Sequence, residues 1–207
     1  PVTIGFGRRT KRKPNPAMLL IGEISAKGAA KKVTAKFADS LDAILICGLP
    51  GDSTIEALKD RIWGVRVGKI AESELDSLKE GGCDFILLDS DQTLATALRD
   101  DGIAKGHALP PDLTDKQARV YEDLPFDYLT VVYDVEPGEL TLDQLISLQS
   151  GVSMVGKHIV LESVGLPTVG ELNLLRDLPA DAILIQADKL NADEFEKARA
   201  TIAELEP

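Results

Sequence analysis

Glu23 and Glu162 are the residues whose surroundings make their chemistry conspicuous. Each interrupts an apolar run, Met18 to Ile24 and His158 to Leu161, where a neutral residue would cost nothing. A carboxylate buried in such a setting is unfavourable unless a cation or a hydrogen-bond donor faces it. Arg66 and Lys69, at the end of the apolar stretch beginning at Trp63, could supply that partner. Two carboxylates and a cation suit general acid-base chemistry on a small molecule, and they equally suit a structural ion pair; the sequence leaves both open. In the enzyme reading Glu23, Glu162, Lys69 and His107 carry the catalysis, and Arg66, Ser163, Gly165, Asp89 and Asp134 bind the substrate. A ring of acids with Arg66, Lys69 and His107 among them is what a small anionic substrate would require. A magnesium-dependent lyase built on Asp89, Asp91, His107 and Glu162 is an alternative, although no dedicated metal site and no organic cofactor is expected. A Schiff-base aldolase is disfavoured, because the sixth apolar segment, Asp127 to Asp134, contains no lysine.

The elements that must position these groups announce themselves by repetition. Four times an aspartate leads an apolar run: Asp42-Ala43-Ile44-Leu45-Ile46, Asp84-Phe85-Ile86-Leu87-Leu88, Asp127-Tyr128-Leu129-Thr130-Val131-Val132 and Asp181-Ala182-Ile183-Leu184-Ile185. Each run is strand length and too continuously apolar to keep one face in water, so it reads as a parallel strand covered on both sides. The aspartates lie 42, 43 and 54 residues apart, and each gap holds a further apolar run. With Met18 to Ile24 these make eight strands. Helical spacing of three and four predicts helices over 29–37, 54–61, 72–79, 92–98, 114–121, 142–148, 169–175 and 192–205. Strand and helix alternating eight times specify an α/β fold, a compact (βα)8 TIM barrel of eight parallel strands with short loops. The expected division is a basic N-terminal arm over 1–17 and one barrel domain over 18–207. The four aspartates start their strands at the end of the barrel away from the usual site, so a structural role is expected of them.

Charge narrows the partners. The chain carries 34 acidic and 23 basic residues. Five of the bases are gathered in Arg8-Arg9-Thr10-Lys11-Arg12-Lys13, so the body is more acidic than the total suggests. An acidic body with 4% aromatic residues repels phosphate backbones and lacks stacking platforms, which argues against nucleic-acid binding by the body. The partner of the basic arm is not specified, and homo-oligomerisation is left open. No apolar run is long enough to span a bilayer. Cys47 and Cys83 fall at opposite ends of the expected barrel, which suits two buried thiols in a reducing, cytoplasmic setting rather than a disulfide.

Two phrases resemble the indole-3-glycerol-phosphate synthase family within the phosphate-binding (βα)8 barrels. Gly22-Glu23-Ile24-Ser25-Ala26-Lys27-Gly28 is similar to its first-strand region, and Leu161-Glu162-Ser163-Val164-Gly165-Leu166-Pro167-Thr168 is similar to its seventh-strand phrase. The resemblance implies a lyase or isomerase of small-molecule metabolism acting on an anionic, phosphorylated substrate. The sequence departs from that family where Ser25 stands in place of its first-strand lysine and Arg66-Val67-Gly68-Lys69 replaces its third-strand lysine-aspartate phrase. The eighth run ends Gln186-Ala187-Asp188 without the glycine that a phosphate loop needs. A catalytically inactive barrel serving as a binding or assembly protein is the competing expectation.

Overall fold

In the computed structural model, which describes residues 18–204 apart from 28, 35, 91, 92, 100 and 191, the eight apolar runs form one closed parallel barrel in sequential order. The basic arm of 1–17, Gly28 and Asp91 lie outside the described residues. The strands are β1 (Leu19–Ser25), β2 (Ala43–Cys47), β3 (Trp63–Val67), β4 (Phe85–Leu88), β5 (Ala104–Ala108), β6 (Tyr128–Tyr133), β7 (His158–Ser163) and β8 (Ala182–Gln186). Around them stand α1 (Ala29–Val33), α2 (Asp52–Leu58), α3 (Glu72–Glu80), α4 (Asp115–Asp123), α5 (Leu142–Val152), α6 (Val169–Arg176) and α7 (Ala192–Glu204).

The helix expected over 92–98 is instead a short 3-10 turn, Ala95–Arg99. The link from Leu88 to Ala104 must hold two turns as well as any helix, and its Asp-Ser-Asp-Gln-Thr opening favours turn conformations over helix. The expected helix over 29–37 likewise divides into α1 and a 3-10 turn, Lys36–Ser40.

The outward faces of the strands pack on the helices through Ile24, Ile44, Val65, Ile86, Leu129, Leu161 and Ile183. The inward faces build a second, separate core of Ile21, Ala43, Leu45, Leu87, Val160, Ala182 and Leu184, with Phe85 and Tyr128 against it. Strand register stacks these inward residues in layers of four drawn from alternate strands. The lowest holds Ala43, Phe85, Tyr128 and Ala182, and the next Ile21, Gly64, Gly106 and Val160. The two large rings occupy the space that the two glycines leave. A Cβ on Gly106 would lie 2.1 Å from Tyr128 Cε2, and one on Gly64 2.3 Å from the Phe85 carbonyl oxygen. Above them comes Leu45, Leu87, Thr130 and Leu184, and then Glu23, Arg66, Ala108 and Glu162. The barrel is therefore dry at its base and charged at its C-terminal mouth.

The four repeated aspartates all do one thing at the opposite end. Asp42, Asp84, Asp127 and Asp181 accept through Oδ2 the backbone N–H of Leu20, Trp63, Lys105 and Ile159, at 2.8, 3.0, 2.7 and 2.9 Å. Their own N–H groups donate to the carbonyls of the same four residues at 2.8 to 2.9 Å. Each even strand is thus clamped to the odd strand before it, which explains the repeated phrase and agrees with a structural role. His158 sits exposed at this end, 3.1 Å from Asp181.

Candidate active site at the barrel mouth

Arg66 points inward from β3 and collects carboxylates from β1, from β7 and from the residue that follows β4. Its Nε lies 2.6 Å from Glu23 Oε1, its Nη2 donates to Glu162 Oε2 at 2.6 Å, and its Nη1 lies 3.7 Å from Asp89 Oδ1. The Nε contact is close but not aligned as a hydrogen bond. The Glu23, Arg66 and Glu162 side chains keep only 12%, 17% and 17% of their surface exposed, whereas Asp89 keeps 50%. Burial alone would lower the Arg66 pKa, but Glu162, then Glu23 and Asp89, outweigh it and raise it, so the guanidinium stays charged. Cys47 donates its thiol to Glu23 Oε1 at 3.0 Å. Burial first, and the Glu23 carboxylate second, push that thiol up to about 12. It is a hydrogen-bond donor that orients Glu23, not a nucleophile.

Of the residues singled out in the sequence, the structure brings together Glu23, Arg66, Glu162 and Asp89, and does not bring the others to them. His107 faces outward from β5, with Nδ1 2.6 Å from the Leu88 carbonyl oxygen and its ring stacked on Phe126 and Tyr121 at centroid distances of 5.4 and 6.0 Å. Lys69 is exposed beyond β3 beside Ile70, Ala71 and Glu74. Ser163 also faces outward, buried, and its hydroxyl donates to the Gly165 carbonyl at 2.6 Å. Gly165 is packed under Pro137. Asp134 is exposed at the edge of a separate cavity of about 510 Å³ between the end of β6 and α5. The physical reason is common to several of these. Position at a strand end fixes height in the barrel, but alternation of side chains fixes the face, and His107 and Ser163 are each one residue out of phase with the inward set.

Of the four residues of the magnesium alternative, Asp91 lies outside the described residues and His107 faces away from the mouth. Among the described residues no group of three or more His, Cys, Asp or Glu side chains is placed to hold a metal ion. Glu162 and Asp89 instead converge on the positive charge of Arg66. At the end of β8, Asp188 accepts the Ser25 N–H at 3.1 Å and pairs with Lys32, placing a carboxylate where a phosphate loop would be expected.

Two features near the mouth escaped sequence reasoning. Thr130 faces inward beneath the charged layer, 1% exposed, with its hydroxyl unpartnered; nothing in the sequence of its strand set it apart. Glu171 is buried at the start of α6, where it accepts the Thr168 N–H and hydroxyl and the N–H groups of Gly138 and Leu140, tying the loop after β6 to the loop after β7. Burial would raise its pKa, but the Thr168, Gly138 and Leu140 donors outweigh it and hold the carboxyl below its ordinary range. The Thr168 to Glu171 spacing of a capping box was its signal.

No family model and no curated protein matches the chain. Among solved structures, a mutant of the tryptophan synthase alpha-subunit from the hyperthermophile Pyrococcus furiosus is 15% identical with a TM-score of 0.66, covering 90% of this chain and 97% of its own. KGPDC from Streptococcus mutans is 14% identical with a TM-score of 0.65, covering 91% of this chain and 98% of its own. These likenesses show the TIM-barrel fold that the strand count and the sequence resemblance implied. Among the described residues, no helix is long and apolar enough to cross a membrane.

Proposed function

We propose that this chain is a small-molecule enzyme of the barrel type, a lyase or isomerase working by proton transfer at the C-terminal mouth. The observation that carries the reading is the convergence of Glu23 from β1 and Glu162 from β7 on one guanidinium, each within 2.6 Å, at the end of the barrel where sites of this fold are built. Glu162 acts as the general base or acid. Glu23 holds Arg66 in place, and Arg66 stabilises negative charge developing on a substrate oxygen as the proton leaves. That the solved barrels it resembles include a synthase subunit supports an enzyme, by analogy of fold only.

The test is exchange of solvent deuterium into a panel of α-amino and α-hydroxy carbonyl compounds, followed by NMR. A proton-transfer enzyme labels the carbon beside the carbonyl of at least one member, and Glu162→Gln abolishes the labelling. A wild-type rate no higher than that of buffer across the panel sinks the reading. A second reading, a barrel that binds without catalysing, is favoured by the near-complete pairing of Arg66. It predicts ligand-dependent melting shifts with no exchange.

A further inference from the structure

Helix α5 carries its large apolar side chains on the face that cannot close its own seam. Leu142 and Ile146 are 72% and 56% exposed. The row turned toward the neighbouring cavity is Asp143, Ser147 and Gly151, spaced by four and so on one face of the helix. Folding alone favours the reverse, with leucine or isoleucine in the seam and the small polar residues in water. The space left by Ser147 and Gly151 is the cavity of about 510 Å³ between α5, the end of β6 and the loop after β5. A Cβ added at Gly151 would meet nothing within 4 Å. The volume falls in the range of about 300–1,000 Å³ typical of small-molecule sites. Its walls are apolar: Val131 and Tyr133 come from the outward face of β6, Leu109 and Leu113 from the loop side, and Leu148 from α5.

Charge at the rim narrows the class of ligand. Asp134, after β6, and Asp143, in the first turn of α5, both line the opening and both are exposed. No lysine, arginine or histidine lines the cavity. Among the described residues, no cation is paired with either carboxylate. The start of α5, which could otherwise attract an anion, is capped by the Thr141–Gln144 box and carries Asp143 itself. An apolar cleft with two unpaired carboxylates at its edge complements a molecule that has an apolar body and a positively charged end.

We infer that the cleft between β6 and α5 is a second ligand site, separate from the Arg66 cluster, and that it takes a small amphiphilic amine. The apolar body lies against Val131, Tyr133 and Leu148, and the ammonium group faces Asp134 and Asp143.

The experiment is a thermal-shift titration with 2-phenylethylamine at physiological ionic strength, where general attraction to an acidic chain is screened. Ethylamine supplies the charge without the apolar body, and phenylacetate reverses the charge. A ligand of the folded state raises the melting temperature with its concentration. Phenylethylamine is expected to raise it, and the other two to have no effect at equal concentration. Ser147→Leu fills the cleft and should abolish the shift while melting no lower than the wild type, because the new side chain enters apolar space. The double variant Asp134→Asn, Asp143→Asn changes only exposed side chains and should weaken the apparent affinity about tenfold, or about 1.4 kcal/mol. It decides the matter should Ser147→Leu fold poorly. Glu162→Gln should leave the shift as it is. No shift with phenylethylamine, an equal shift with phenylacetate, or a shift unchanged in the double variant overturns the inference. A shift lost in Glu162→Gln places the amine at the mouth and overturns it as well. The deuterium exchange above tests the catalytic reading of the mouth independently of all these outcomes.

Discussion

Arg66 Nη2 and Glu162 Oε2 meet at 2.6 Å across the barrel axis, joining strands β3 and β7 that share no backbone hydrogen bond. Removing the cation should therefore harm the fold more than removing either anion. Arg66→Met leaves Glu23 and Glu162 confined together without a counter-charge, whereas Glu162→Gln leaves the Glu23 contact intact. Loss of one partner of a fully buried pair costs about 3 to 5 kcal/mol, and the partial exposure here lowers the expected cost of Arg66→Met to about 2 to 3 kcal/mol. Urea denaturation at pH 7 measures it. An Arg66→Met midpoint equal to that of the wild type would show that the pair contributes nothing to stability.

Glu171 should set part of the acid limb of the stability curve. Its folded-state pKa lies below the ordinary glutamate value because the Thr168, Gly138 and Leu140 donors prefer the carboxylate. Its stabilisation is therefore fully present above about pH 4.3, the unfolded value, and is lost as pH falls through the lower folded pKa. Glu171→Gln should cost about 1.5 to 3 kcal/mol at pH 7, the usual range for hydrogen bonds to a charged group. The difference from wild type should shrink as pH drops below the unfolded value. Urea midpoints across the acid range check this, and a difference that stays constant down to pH 2 would contradict it.

How much of this was legible in the sequence depended on whether a signal was local. The strands were legible because burial on both faces forces unbroken apolar runs, and Glu23, Arg66 and Glu162 were legible because a charge inside such a run is anomalous. His107 and Ser163 do not join them because each was chosen by its height at a strand end, whereas the alternation of side chains along the strand turns each to the outer face. The aspartate phrase was visible, but its purpose was not. The backbone groups that Asp42, Asp84, Asp127 and Asp181 clamp belong to the preceding odd strand, 21 to 22 residues earlier. Thr130 looked like an ordinary strand residue until the layers showed what stood above it.

Gly106 should tolerate no side chain. Its missing Cβ is where the Tyr128 ring lies, and that ring is held in place by its phenol donating to the Ile86 carbonyl at 2.8 Å. The ring also packs edge-on to Phe85 at 6.1 Å, so it cannot swing aside without disturbing the second large ring of the same layer. Overpacking of this kind costs about 1 to 3 kcal/mol or more. Gly151→Ala is the control: it lies within α5 with nothing within 4 Å of the new Cβ, and should stabilise by about 0.5 to 1 kcal/mol. Thermal melts should move in opposite directions for the two variants. A Gly106→Ala protein melting with the wild type would mean that the barrel base is not packed as described.

The clamps of Asp84 and Asp127 should be nearly equivalent and independent, and that of Asp42 should differ. Asp84→Ala and Asp127→Ala each leave one strand N–H at the barrel base without its acceptor, and each should cost about 1 kcal/mol. Their strand pairs are β3–β4 and β5–β6, with no partner shared through a side chain, so the double variant should show the sum to within about 0.5 kcal/mol. Asp42 differs because its Oδ2 also takes Arg199 Nη1 at 2.5 Å, holding α7 to the start of β2. Asp42→Ala should therefore cost about 1 kcal/mol more than the others, since it also strands a half-buried guanidinium. In Arg199→Met that surplus should vanish, leaving Asp42 worth no more than Asp84. A double-mutant cycle by urea denaturation makes the comparison. A zero coupling energy between Asp42 and Arg199 would show that α7 is held by its apolar face, Phe195, Ala198 and Ile202, without help from the ion pair.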